Sequence, residues 1–420
     1  MVDTDDDNSS DSTVSEWSIN EEWIEMVLRA HHKEITINIA VNIEDFVVTP
    51  GCTASECVLS DILAVTVKYR LRNEPHIQNL SFVIKLLPQD PFSRYFVTQA
   101  QFDLREIKFY TQIVPDLESF GQKVLENDTT AEPNSLPVPK CFYAHYSPAQ
   151  TEPEPSPPES VLVLENAKPH GYLSADFRGG LSLRQALAAM ESIAQFHALA
   201  LAFKVSENKH LSERYPFLFK APQASHSYQQ LVERGLPQLL KFLESKTEMG
   251  EILSALNNIR PYTKEMMENL LAPQEPMALI THTDFWCNNL MFRENEESCE
   301  CLILDWQMVT YSRPTNDLAL LIVSSLAADV RRQHTDQLLD SYWEHLTANC
   351  RKLKFNVEEE MNYNRVRLGE DFTKSQLLAL LLCIGSVDLA IGNAQVEERL
   401  LTFLQDLHKD GLLSPEVTQT

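Results

Sequence analysis

The feature that most constrains this chain is a change in its apolar rhythm near residue 165. Ile43 to Thr49, Ile62 to Leu71 and Leu80 to Leu87 are rich in β-branched residues and read as three strands, the last two joined by RNEPHIQN. They predict an antiparallel sheet. Cys141 to Tyr146 and Val161 to Glu165 add two strands around the proline-rich, acidic TEPEPSPPES, which predicts an exposed loop. Glu21 to His32 and Gln101 to Ile113 carry helical spacing within this part. Beyond Glu165 the apolar residues recur every three to four positions, most plainly at Leu183, Ala186, Leu187, Met190, Ile193, Ala194, His197 and Leu201. Strand-rich and helix-rich parts in succession predict an α+β architecture. The division follows as a disordered acidic tail over 1–16, a sheet-bearing part over 17–166 and a mostly helical part over 167–415.

Composition narrows the function classes. The formal net charge of -25 repels phosphate backbones, so no nucleic-acid partner is expected, and an anionic substrate requires a local basic group or a metal ion. Eleven glycines form neither G-x-G nor G-K, which removes the dinucleotide fingerprint and the Walker A loop. The N-terminus has no basic-then-apolar signal pattern, and the uncharged apolar run Leu377 to Val387 is too short to cross a bilayer. A soluble, cytoplasmic chain without a membrane span is the expectation. Eight cysteines without a C-x-x-C pair predict reduced thiols, with neither zinc nor disulfides.

The chemistry concentrates in His282-Thr283-Asp284-Phe285-Trp286-Cys287-Asn288-Asn289 and in Leu304-Asp305-Trp306-Gln307. An aspartate with an asparagine five residues on, then an aspartate at the end of an apolar strand, matches a kinase catalytic loop and metal aspartate. Phosphoryl transfer needs a carboxylate to orient and deprotonate a hydroxyl, which suits Asp284. It also needs hard oxygen ligands for Mg²⁺ on the phosphates of ATP, which suits Asn289 and Asp305. Phe82-Val83-Ile84-Lys85-Leu86 places a lysine on an apolar strand, and Glu106 lies on the following helix where a Lys-Glu pair would form.

These motifs, with Phe102-x-x-x-Glu106-x-x-Phe109-Tyr110, Leu162-Val163-Leu164-Glu165 and Ala194-Gln195-Phe196-His197-Ala198, resemble the ecdysteroid-kinase-like family of the choline- and aminoglycoside-kinase-like group. The resemblance implies a bilobal protein-kinase-like fold, with an antiparallel-sheet N-lobe and a mostly helical C-lobe. It implies transfer of the γ-phosphoryl group of ATP, with Mg²⁺, to a hydroxyl of a small molecule, an ecdysteroid or other steroid alcohol among the candidates. By the same resemblance Lys85 binds ATP phosphates, Glu106 pairs with it, Glu165, Asn166 and Ala167 form the adenine-binding hinge, and Asp317 of Ser312-Arg313-Pro314-Thr315-Asn316-Asp317-Leu318 anchors the catalytic loop. The turn Pro50 to Cys57 has one glycine, and there Thr53 and Ser55 offer hydroxyls to the phosphates.

Thr283 stands where relatives commonly carry glycine and choline kinases asparagine. With the glycine-poor turn, it motivates the rival reading of a catalytically silent pseudokinase that binds nucleotide or ligand. Four further readings compete locally. His282 and Asp284 as ligands of a metallohydrolase lack a neighbouring histidine-carboxylate cluster. His197 on an apolar stripe reads as a satisfied core histidine. Trp286 and Trp306 read as packing behind the loops, with an aromatic wall for substrate as the sharper alternative. His334-Thr335-Asp336 repeats the H-T-D string without an asparagine five residues on, and reads as helical surface. The segments 210–275 and 325–415 are expected to build the acceptor pocket.

Overall fold

The structure, a computed structural model, describes residues 19–32, 40–52, 59–71, 76–125, 135–149, 158–207, 211–219 and 221–414. The expected tail, Thr53 and Ser55, the start of RNEPHIQN and most of TEPEPSPPES lie outside the described residues. The chain forms two compact units. One comprises Met1–Arg94, Cys141–His145 and Val161–Glu165, and the other Tyr95–Lys140, Tyr146–Ser160 and Asn166–Thr420.

The first unit is a sheet with one helix on it. The helix Glu21–His31 starts at Asn20, whose side chain accepts from the amide of Trp23, and carries acids in its first turn and bases in its last, as the helix dipole favours. Strands β1 (Val41–Pro50), β2 (Asp61–Leu71), β3 (Gln78–Leu86), β4 (Cys141–Ser147) and β5 (Glu159–Glu165) lie in the order β1-β2-β3-β5-β4, and β1–β2, β2–β3 and β3–β5 pair antiparallel. The strand expected at 62–71 is realised as β2 and alternates in burial: Val65, Val67, Tyr69 and Leu71 are buried, while Thr66 and Lys68 are exposed. Ile24, Val27 and Leu28 of the helix share a core with Val65, Val67, Phe82, Ile84, Val161 and Val163. That packing turns Lys85 to the opposite face of β3, because neighbours along a strand point to opposite sides.

The second unit is built around the helix Leu183–Glu207, the predicted apolar stripe, which packs against the helix Ala328–Lys352. Over Leu183–Ser206 this helix is long and apolar enough to cross a membrane, a property that a search for uncharged runs overlooks; 83% of its span window is buried inside the protein. The helix expected at Gln101 to Ile113 runs as Phe102–Lys108, a π-helical turn Phe109–Ile113 and Val114–Leu125. The irregular turn comes just before Pro115, which has no N–H to continue the helical ladder. Short strands β6 (Leu173–Ser174), β7 (Leu279–Thr281), β8 (Leu290–Glu294), β9 (Cys299–Ile303) and β10 (Thr310–Ser312) form a β6-β8-β9 sheet and a β7–β10 pair. They fix the ends of the two loops that carry the chemistry.

One expectation fails. Cys52 is disulfide-bonded, whereas Cys141, Cys287, Cys299, Cys301, Cys350 and Cys383 are free. Sparse cysteines without C-x-x-C argue against a zinc site, but that signal says nothing about a single bridge.

Candidate active site

The loop between β7 and β8 is held by one buried carboxylate. Asp317 lies in the helix Pro314–Ser325 and is fully buried. Its two oxygens accept from consecutive backbone amides, Oδ2 from His282 at 2.8 Å and Oδ1 from Thr283 at 2.7 Å. Oδ2 also meets His197 Nε2 at 3.1 Å, and His197 Nδ1 lies 2.9 Å from the hydroxyl of Tyr342. Buried amides without partners are costly, so the carboxylate fixes the loop at its first two residues. His197 is therefore both a satisfied core histidine and a support for Asp317.

Thr283 takes φ of 68°, a left-handed conformation that is strained for a β-branched residue and explains why glycine suits this position. Its hydroxyl lies 3.0 Å from that of Thr281 and 2.9 Å from that of Thr310, both buried. The three hydroxyls tie the loop to the β7–β10 pair.

His282 links the two chemical loops. Its Nε2 donates to the carbonyl of Leu304 at 2.8 Å, and its Nδ1 accepts from the amide of Asp284 at 3.2 Å. Burial lowers its pKa, in keeping with a neutral ring that donates on one side and accepts on the other. Both nitrogens are engaged, and the described residues contain no group of three or more His, Cys, Asp or Glu side chains able to hold a metal ion.

Asn289 closes the loop. Its Nδ2 donates to the backbone carbonyl of Asp284 at 2.9 Å and to Asp284 Oδ2 at 2.8 Å. The carbonyl of Asn289 accepts from the amide of Leu304 at 2.8 Å, which brings the asparagine beside the residue preceding Asp305. Asp305 has φ of 59° and precedes the turn Trp306–Met308 without a capping side-chain hydrogen bond; Gln307 Nε2 lies 3.4 Å from its Oδ2. Trp306 is fully buried, stacked on Phe109 at 4.0 Å and packed on Phe196 and His282, so it is packing behind the loop.

Trp286 differs from Trp306. It lines, with Asp284, a largely apolar pocket of about 610 Å³ that includes space open to solvent. Phe177, Val323, Leu400 and Phe403 form much of the wall, and Cys383 and Arg399 also line it. Leu382 to Phe403 fall within the expected 325–415 segment; among the described residues, the expected 210–275 segment supplies no lining residue.

The remaining predicted residues are described within their own units. Lys85 is half-buried on β3, opposite Ile62 of β2 and Leu162 of β5. Glu106 is buried in the helix Phe102–Lys108 of the other unit. Glu165 ends β5 opposite Phe82; Asn166 Oδ1 accepts from the amide of Lys168, and Ala167 is buried. The sequence reading did not anticipate Tyr342, the Thr281–Thr310 pair or Arg399. Only the threonines left a signal, the departure from glycine at 283.

No curated protein matches the chain by sequence. Among solved structures, similarity extends to an ethanolamine kinase of Plasmodium vivax, with 13% identity, coverage of 94% of this chain and 90% of that one, and a TM-score of 0.39. A choline kinase of Cryptosporidium parvum Iowa II shows 15% identity, coverage of 94% and 98%, and a TM-score of 0.41. A microcompartment-associated aminopropanol kinase shows 10% identity, coverage of 93% and 98%, and a TM-score of 0.36. Residues 55–355, more than half of the chain, match the ecdysteroid kinase-like family, and the chain belongs to that family of small-molecule kinases.

Proposed function

We propose that this protein transfers the γ-phosphoryl group of MgATP to a hydroxyl of a small apolar molecule, with Asp284 as the base. The observation that carries the reading is the fixed carboxylate: Asp284 is held by Asn289 through two hydrogen bonds, on a loop anchored by Asp317, at the wall of an apolar pocket. A hydroxyl entering that pocket would donate to Asp284, which orients it and takes its proton as the new O–Pγ bond forms, the bond from Pγ to the β,γ-bridging oxygen breaks and ADP leaves. The apolar wall excludes water, which would otherwise compete as acceptor.

The donor set fits magnesium. Asn289 spends its Nδ2 hydrogens on Asp284, which leaves the amide oxygen for a cation, and Asp305 follows the Leu304 amide that binds Asn289. One amide oxygen and one carboxylate are hard donors, and Mg²⁺ on a nucleotide needs only one or two protein carboxylates beside waters and phosphates. When bound, the ion neutralises charge on the transferring group. By the family resemblance we assign Lys85 to the ATP phosphates with Glu106 as its partner, Glu165 to Ala167 to the adenine, and Thr53 and Ser55 to the phosphate turn. Lys85 shares its face of the sheet with Ile62, Val83 and Leu162, apolar surface suited to a purine.

An ATP-dependent phosphorylation screen over small alcohols and sterols, read by mass shift, tests this reading. It predicts a product 80 Da heavier, an increment of about one HPO₃, formed only with Mg²⁺. No product from any alcohol, together with Mg²⁺-independent ATP binding, would favour the silent pseudokinase.

A further inference from the structure

The pocket beside Asp284 holds a hydroxyl that the fold does not use. Ser386 stands between the helices Arg365–Gly385 and Val387–Ala390, is half-buried and lines the pocket. A serine just before a helix normally caps it, its side-chain oxygen accepting from an amide of the first turn. Here the side chain makes no capping bond; the amide of Leu389 donates instead to the backbone carbonyl of Ser386 at 3.0 Å, and the amide of Ser386 donates to the carbonyl of Cys383 at 3.2 Å. Among the described residues the Ser386 hydroxyl has no hydrogen-bond partner, and its oxygen is accessible, unlike Nε1 of Trp286, which is sealed in the wall.

The backbone that carries this hydroxyl is held by close packing against the helix Ala221–Glu244. A Cβ on Gly235 would come within 1.8 Å of the carbonyl oxygen of Ile384, and one on Gly385 within 3.1 Å of the Cβ of Leu231. Contact this tight leaves the turn at 384–386 little room to shift. The other hydroxyl among the lining residues is already committed. Ser324 donates to the carbonyl of Leu320 at 2.7 Å, and its oxygen lies 3.0 Å from that of Ser325. Ser325 accepts from the amide of Cys287 at 2.9 Å, and with the Ser324 proton spent on Leu320 its own proton goes to Ser324. The thiol of Cys383 is only a weak donor, and Asp284 is an acceptor. Ser386 therefore supplies a free hydroxyl proton to a wall made mostly of Phe177, Val323, Leu400 and Phe403.

We propose that Ser386 is a specificity-determining residue of the acceptor pocket, donating to a second, uncharged oxygen on an otherwise apolar alcohol. This rests on the reading of Asp284 as the residue that meets the hydroxyl to be phosphorylated. An apolar molecule that covers Ser386 displaces its water, and the stranded hydroxyl then costs free energy unless the molecule brings an acceptor of its own. A site with such a group discriminates against analogues that lack the matching oxygen far better than an apolar wall discriminates by size. Few and fixed polar groups in an apolar pocket also orient what enters, so contacts at Asp284 and at Ser386 together select which hydroxyl is presented for transfer.

The test uses matched pairs of alcohols on cyclohexane, bicyclohexyl and steroid frameworks of increasing length, each with a hydroxyl at one end and at the other either a ketone or, in its control, a methylene at the same carbon. A ketone only accepts, so it reads the Ser386 proton alone. Calorimetry on the full chain should find, in at least one pair, the ketone bound about three- to tenfold more tightly than its control. Ser386→Ala should bring the ketone down to the affinity of its control, and because the hydroxyl makes no bond within the fold the variant should unfold at the same urea concentration as wild type. Ser386→Gly, which also lacks the hydroxyl, carries the test if circular dichroism shows the alanine variant unfolded. No preference for the ketone in any pair, or a preference that survives in the variants, would overturn the inference, whatever product the same compounds give with MgATP. A Ser386-dependent preference without phosphorylated product from any of them would instead remove the kinase reading and leave Ser386 its role.

Discussion

The chain contains the string H-T-D twice, at 282–284 and at 334–336, and folds the two copies into different things. The second copy lies in the helix Ala328–Lys352, where Thr335 donates to the carbonyl of Arg331, His334 meets Gln337 and the side chain of Asp336 is 96% exposed. The first has its amides clamped by Asp317, its threonine in a left-handed conformation and its aspartate held by Asn289. Identical side chains thus differ through their partners, Asn289 five residues on and Asp317 from a later helix. A carboxylate that orients a hydroxyl must itself be held, and the exposed side chain of Asp336 has only a 3.5 Å contact from Arg365.

The largest difference should appear in turnover. Asp284→Asn should lower the phosphorylation rate of a confirmed acceptor by about 10² to 10⁴-fold, while Asp336→Asn leaves it unchanged. Equal effects in a steady-state assay would dissolve the distinction between the copies. Next in size is the clamp. Asp317→Ala leaves two buried amides and His197 without their acceptor and should cost about 3 to 5 kcal/mol in urea unfolding, whereas Asp336→Ala should stay within about 0.5 kcal/mol.

The threonines sharpen the contrast through opposite signs. Thr283→Ala keeps the strained backbone and loses the hydroxyl contacts to Thr281 and Thr310, so it should destabilise by about 1 to 3 kcal/mol. Thr335→Ala places a better helix former in a helix and should stabilise by up to about 0.7 kcal/mol. The smallest effect is expected from His282. Burial lowers its pKa in the folded chain, so below the unfolded value of about 6.5 the unfolded state binds more protons and folding weakens as pH falls. His282→Gln should flatten the stability profile between about pH 7 and 5.5, a window set by that same reference value; an unchanged slope would show that the ring is not buried neutral.

Much of this was legible before any coordinates. The strands at 43–49, 62–71 and 80–87 came through because β-branched residues, which suit an extended backbone, cluster there. The pairing of Asn289 with Asp284 was legible because a short loop must return the asparagine to the aspartate, a local constraint with a fixed spacing. Arg399 was not, since its place in the wall depends on a helix packing back over a hundred residues after Asp284, and an arginine in an amphipathic helix normally reads as surface. Tyr342 was hidden in the same way, and the bridge at Cys52 because a lone pair of cysteines has no distinguishing pattern.

The central claim separates two aspartates, a base and a metal ligand, and titration of MgATP into wild type, Asp284→Asn and Asp305→Asn tests it most directly. Wild type and Asp284→Asn should bind with similar affinity, and Asp305→Asn should bind at least about tenfold more weakly, because a charged ligand to the ion is gone. Equal loss of binding in the two variants, or binding by wild type that does not depend on Mg²⁺, would contradict the assignment.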